Sequence, residues 1–176
     1  MSTQAAEHAG DTTDPFADVR VGNQGFVSAF TTESLSGFAR RGLAIVTCMD
    51  SRIDPLNVVG MAPGDVKILR NAGARVTDEV LRTLIVATHL LGVSRVLVMP
   101  HTDCRMARDD EAQIHAAIFA SSGIDTSGVA IQMVADQLDT LRRDLNRIRS
   151  YGLLARGLVA EGAIYNVATG ELDFIN

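Results

Sequence analysis

The chain has 176 residues, 47% hydrophobic and 21% charged, which suits a globular domain and excludes general disorder and coiled coil. Its 16 basic and 21 acidic residues leave a net charge of −5, against the basic excess of a nucleic-acid face, and with two tyrosines, six phenylalanines and no tryptophan there is little to stack bases on. Two cysteines, Cys48 and Cys104, exclude a disulfide scaffold and leave three fates: one bridge, two free thiols or two metal ligands.

Residues 1–18 are small and polar and read as a mobile arm, with residues 19–176 as a single domain. The arm lacks the basic start and the apolar stretch of about 7–15 residues that mark a secretory signal. The most apolar run, residues 84–98, is broken by Thr88, His89, Gly92, Ser94 and Arg95, short of the ~20 residues of a membrane span. These features point to the cytoplasm, where thiols stay reduced, and to no membrane partner.

After the arm, Val21, Phe26, Val27 and Phe30 recur at loosely helical spacing in residues 21–33, predicting a helix packed on the main body. Leu43 to Thr47 is a short apolar, β-branched run, the mark of a strand buried on both faces. Asp54-Pro55 reads as a turn into a short helix. Lys67 to Leu69 is a second strand after the turn signal Pro63-Gly64-Asp65, and Val96 to Met99 is a third, ended by Pro100. Between them Thr77, Asp78 and Glu79 open a helix that Gly92 closes. Asp109-Asp110-Glu111 opens another, running to Gly123, and Val134, Leu138, Leu141, Leu145 and Ile148 form the stripe of a third. Residues 159–175 read as two strands joined at Ala168-Thr169-Gly170. The alternation predicts a three-layer α/β fold: a central, mostly parallel sheet flanked by helices, with the C-terminal strands antiparallel at an edge.

In such sheets ligands bind beyond the carboxyl ends of the strands. Cys48 follows the first strand, and His101 and Cys104 follow the third, so two thiols and an imidazole share one rim. That set suits zinc, and three protein ligands leave a fourth position free, as catalytic sites do. Asp50 can reach such a metal or lie beside it, and Arg52 is suited to hold Asp50 in a bidentate pair. His8, His89 and His115 read as structural or solvent-facing, and no phosphate-cradling glycine loop is present in the sequence.

Cys48-Met49-Asp50-Ser51-Arg52, Arg70-Asn71-Ala72-Gly73 and His101-Thr102-Asp103-Cys104 resemble the β-class carbonic anhydrases in content, order and spacing. Gly162-Ala163-Ile164-Tyr165 and Thr169-Gly170-Glu171-Leu172 are similar to that family's closing strands, and the short form resembles its compact actinobacterial-type members. The resemblance implies an enzyme that interconverts carbon dioxide and bicarbonate by attack of zinc-bound hydroxide on CO2. It implies Zn2+ on Cys48, His101 and Cys104, Asp50 and Arg52 as the catalytic dyad, and a homodimer or a tetramer of dimers. In some members the matching aspartate takes the fourth zinc position, so Asp50 is either a fourth ligand or free. The family commonly has glycine after the second cysteine; Arg105 stands there instead, and it can clash, stay outside the cavity or bring charge that holds bicarbonate. Two other functions fit the same residues: hydrolysis of carbonyl sulfide or carbon disulfide, and non-catalytic binding of zinc and bicarbonate.

Overall fold

The computed structural model describes residues 14–31 and 35–175. Two units make up the chain, Met1–Ser34 and Leu35–Asn176. In the first, α1 spans Ala17–Ala29 and so begins inside the stretch expected to be an arm. Residues 1–13, His8 among them, and residues 32–34, at the end of the expected helical stretch, lie outside the described residues. None of the residues of α1 is buried. Phe26 and Phe30 contact each other with ring centroids 5.4 Å apart.

The second unit holds β1 (Leu43–Cys48), β2 (Val66–Asn71), β3 (Arg95–Met99), β4 (Val159–Tyr165) and β5 (Leu172–Ile175). They form one sheet in the order β2-β1-β3-β4-β5, parallel except for β5, which runs antiparallel to β4 at the edge. The helices are α2 (Pro55–Val58), α3 (Asp78–Leu90), α4 (Glu111–Ser122) and α5 (Gln137–Ser150). No helix among the described residues is long and apolar enough to cross a membrane.

All six residues of β1 are buried, because side chains cover both faces of the sheet. Ala44 and Val46 meet Leu81 and Leu84 of α3 and Leu141 and Leu145 of α5 on one face. Leu43 and Ile45 join Met99, Met106 and Val134 on the other, with Val58 of α2 beside them. The ends of the helices follow local chemistry. Thr77 accepts from the Val80 N–H at the start of α3, and Asp110 and Gln113 cap each other at the start of α4. The α5 stripe begins later than the spacing suggests. Asp136 caps the helix by accepting from the Asp139 N–H at 2.7 Å, so Val134 precedes it and is buried against the opposite face of the sheet.

The chain leaves β1 towards β2 on one side and leaves β3 towards β4 on the other. The topological switch point, where loops diverge and open a crevice, therefore lies between the carboxyl ends of β1 and β3.

Gly162 in β4 lies under α5, where an added Cβ would sit 3.0 Å from three side-chain atoms of Leu141. Gly162→Ala should cost about 1–3 kcal/mol in urea unfolding by forcing Leu141 aside, without altering the residues at the switch point.

Candidate metal centre

Cys48 ends β1, His101 follows β3 after Pro100, and Cys104 closes the turn that comes next. The three residues are buried and their ligand atoms lie within 4.8 Å of one another, so they form a site that could hold a metal ion. The two sulfurs are 4.0 Å apart and the thiols are free, which removes the bridge from the three fates. Two ligands about 2.3 Å from a tetrahedral zinc stand roughly 3.8 Å apart, so the spacing suits that ion.

His101 carries the most direct mark of a ligand. Its Nδ1 lies 2.8 Å from the Thr102 carbonyl, which can only accept, so Nδ1 bears the proton and Nε2 presents a lone pair. Among the described residues, Nε2 is the buried side-chain nitrogen or oxygen atom without a hydrogen-bond partner. Leaving such an atom unsatisfied costs about 1–3 kcal/mol, and a metal shared with the two thiols satisfies it. Gln137 at the start of α5 fixes the same residue from behind, donating to the His101 carbonyl at 2.7 Å.

The two thiols are shifted in opposite directions. Cys48 is drawn down towards the thiolate by the Cys104 S–H, against the effect of burial, and is helped by His101 and by the Gly73 N–H. Cys104 is pushed up, chiefly by the Cys48 thiolate and then by burial. For His101 burial is the largest single influence and opposes protonation, yet Cys48, the Thr102 carbonyl and Asp50 together raise its pKa. This concentration of negative charge in a buried site is what a divalent cation neutralises.

Asp50 and Arg52 form the bidentate pair expected of them. Arg52 donates from Nε to Asp50 Oδ1 at 2.9 Å and from Nη2 to Oδ2 at 2.8 Å, and its backbone N–H adds a further bond to Oδ1. These bonds hold the Asp50 carboxyl well below the usual carboxylate range. Oδ2 remains 3.7 Å from His101 Nε2, facing the ligand set.

Arg70, at the end of β2, supports this turn by donating to the carbonyls of Cys48, Asp50 and Ile53. The rim loop after β2 approaches as its small residues suggest. Gly73 has φ 81°, and a Cβ there would come 3.3 Å from Met106 and Val134, so glycine lets the N–H reach Cys48 Sγ at 3.4 Å. Buried Asp144 of α5 holds this loop by pairing with Arg75 at 2.8 Å and accepting from the Val76 N–H. The sequence reading assigned no part to Arg70, Arg75, Gln137 or Asp144.

Arg105 begins a short 3-10 turn with ordinary backbone angles, so no glycine is required at this position. It is 64% exposed, pairs with Asp109 at 2.9 Å and stands with Arg52, Asp103 and Arg108 around an open cavity of about 570 Å³ next to Asp50. A larger cavity of about 720 Å³ lies at the other end of the strands, over Leu43, Leu97 and Phe174, away from the Cys-His-Cys cluster. His89 and His115 are engaged elsewhere, with the Leu153 carbonyl and the Thr126 hydroxyl.

Residues 43–172 match the model of a protein family described as carbonic anhydrase. The chain is 33% identical over 131 residues to β-carbonic anhydrase 1 of Mycobacterium bovis, covering 74% of this chain and 80% of that protein. It is 37% identical over 91 residues to a carbon disulfide hydrolase of an Acidianus strain, covering 52% of this chain and 44% of the hydrolase. The crystal structure of a carbonic anhydrase from Streptococcus mutans superposes with a TM-score of 0.87 at 32% identity, covering 94% of this chain and 100% of the other.

The Asp50–Arg52 pair should show in acid stability. Because Arg52 depresses the carboxyl in the folded chain, its stabilisation is complete above the unfolded value of about 3.9 and fades as pH falls towards the depressed one. Metal-free wild type should exceed Asp50→Asn in urea unfolding at about pH 5, with the gap narrowing by about pH 2.5.

Proposed function

The chain belongs to the carbonic anhydrase family, with relatives in the β class, and we propose that it reversibly hydrates carbon dioxide to bicarbonate and a proton, with Zn2+ held by Cys48, His101 and Cys104 and with Asp50 and Arg52 as its catalytic pair. The observation that carries this reading is the unpartnered Nε2 of His101, buried between two thiols 4.0 Å apart and faced by Asp50.

When bound, zinc supplies Lewis acidity that draws the pKa of a water ligand towards about 7, the value known for the carbonic anhydrases whose zinc sits on three histidines. Asp50 supplies direction. Its Oδ1 is committed to Arg52, while Oδ2 keeps a lone pair on the side of the ligand atoms. Held ionised, Asp50 can only accept, so it takes a hydrogen bond from the attacking water and turns the oxygen lone pair towards the carbon of CO2. Its pKa is too low for it to retain the proton, which passes to solvent as bicarbonate forms. Arg52 fixes the direction in which Asp50 faces the candidate ligand atoms.

We place the enzyme in the cytoplasm, where its two thiols remain reduced, as a homodimer or a tetramer of dimers. Exposed Val159 and Phe174, beside the larger cavity on the sheet, offer apolar surface for such an assembly, which sedimentation velocity reads directly.

Metal analysis with stopped-flow CO2 hydration tests the reading. One zinc per chain is expected, with kcat lowered about 100-fold or more in Asp50→Asn. Folded wild type that takes up no zinc would overturn it, as would zinc-loaded protein without hydration activity from about pH 7 to 9. Sulfide release from carbonyl sulfide or carbon disulfide faster than CO2 hydration would reassign the substrate.

A further inference from the structure

Arg52 is gripped on two edges, and only one of the gripping residues belongs to the proposed catalytic pair. Its Nη1 donates to Asp103 Oδ2 at 2.9 Å and its Nη2 to the Asp103 carbonyl at 3.2 Å. With the two bonds to Asp50, four of the five guanidinium N–H donors are engaged by two aspartates. Asp103 is itself held, since Arg108 donates to its other carboxylate oxygen. Its backbone adopts φ 57°, the left-handed conformation that non-glycine residues rarely take, and this conformation accompanies a carbonyl and a carboxylate both turned to Arg52.

We infer that Asp103, backed by Arg108, is a positioning residue that clamps the outer edge of Arg52 so that the inner edge stays on Asp50. A single exposed ion pair would do little, because solvent and side-chain freedom compete with it. Here the alternating chain Asp50–Arg52–Asp103–Arg108 joins a planar guanidinium at both edges, and rotation about its Nε–Cζ bond would break contacts on each side. Both aspartates lie well below the usual carboxylate range, so the chain is fully charged in neutral solution: Arg52 is the chief cause at Asp50, and Arg108 followed by Arg52 at Asp103. The consequence for turnover rests on the function proposed above. With the clamp in place Asp50 is held to orient the attacking water; without it Arg52 swings, and Asp50 loses its fixed direction.

The test uses the zinc-loaded full chain as wild type, Asp103→Asn and Arg108→Gln. Asparagine tolerates the left-handed backbone, so Asp103→Asn removes the charge without straining the turn, and Arg108→Gln perturbs the clamp from outside the ligand loop. Rotation about the Arg52 Nε–Cζ bond is read by NMR from exchange between the Nη resonances. Stopped-flow gives kcat and KM for CO2 hydration, and metal analysis gives zinc content. Asp103→Asn should rotate at least about tenfold faster and lose about tenfold in kcat, with KM changed by less than about twofold and zinc retained. Arg108→Gln should move both quantities in the same direction by less.

Unchanged rotation in both variants would overturn the clamp, and faster rotation with unchanged kcat would overturn its role in the reaction. Loss of zinc from Asp103→Asn would overturn it as well, by making Asp103 a support of the ligand loop. Failure of wild type to hydrate CO2 would instead refute the proposed function, while the rotation rates still decide whether Asp103 clamps Arg52.

Discussion

Parallel pairing of β1 with β3, from Leu43 opposite Arg95 to Thr47 opposite Met99, is the constraint on which the candidate metal centre depends. Strands that run the same way deliver their carboxyl ends to one rim, and here the chain leaves that rim in opposite directions after β1 and after β3. Cys48 and the His101–Cys104 turn therefore face each other across a crevice rather than across a hairpin. The buried Thr47 hydroxyl, donating to the Met99 carbonyl at 2.8 Å, ties the strands together just before they part. A one-residue slip of β1 would turn Cys48 to the opposite face and separate it from its partners.

Two sets of charged contacts then set the fine positions. On the buried side, Asp144 grips Arg75 and the backbone after it, and the loop so held brings the Gly73 N–H to Cys48. On the open side, Arg52 lies between Asp50 and Asp103, with Arg108 beyond. The two sets act on different things: the first bears on a sulfur atom and its charge, the second on the direction of a carboxylate. Arg105 belongs to neither, since its partner is Asp109 on the turn that follows.

Local signals in the chain were legible wherever the governing physics is itself local. The caps at Thr77 and Asp110, the left-handed glycine at Gly123 and the fully buried run of β1 all depend on neighbours a few residues away or on a simple apolar count. The same reasoning misplaced Val134, because an apolar residue at helical spacing is also what a loop needs when it crosses a sheet face. Asp103 was in plain view within a recognised motif, yet its contact with Arg52 spans 51 positions and leaves no local signature.

The sequence by itself determined the types of the candidate ligand residues and their places on strand ends, because strand propensity and burial act through short-range pattern. It likewise supplied the Asp50–Arg52 pair, two residues apart on one turn. Tertiary structure decided the rest: the 4.0 Å approach of the sulfurs, the protonation of His101 at Nδ1, and the grip of Asp103 on Arg52. Those depend on distances between segments brought together only when the sheet forms. A lone pair or a proton is assigned by what lies within about 3 Å of it, and in this chain the atoms that decide the most come from β1, β3 and the loops beyond them.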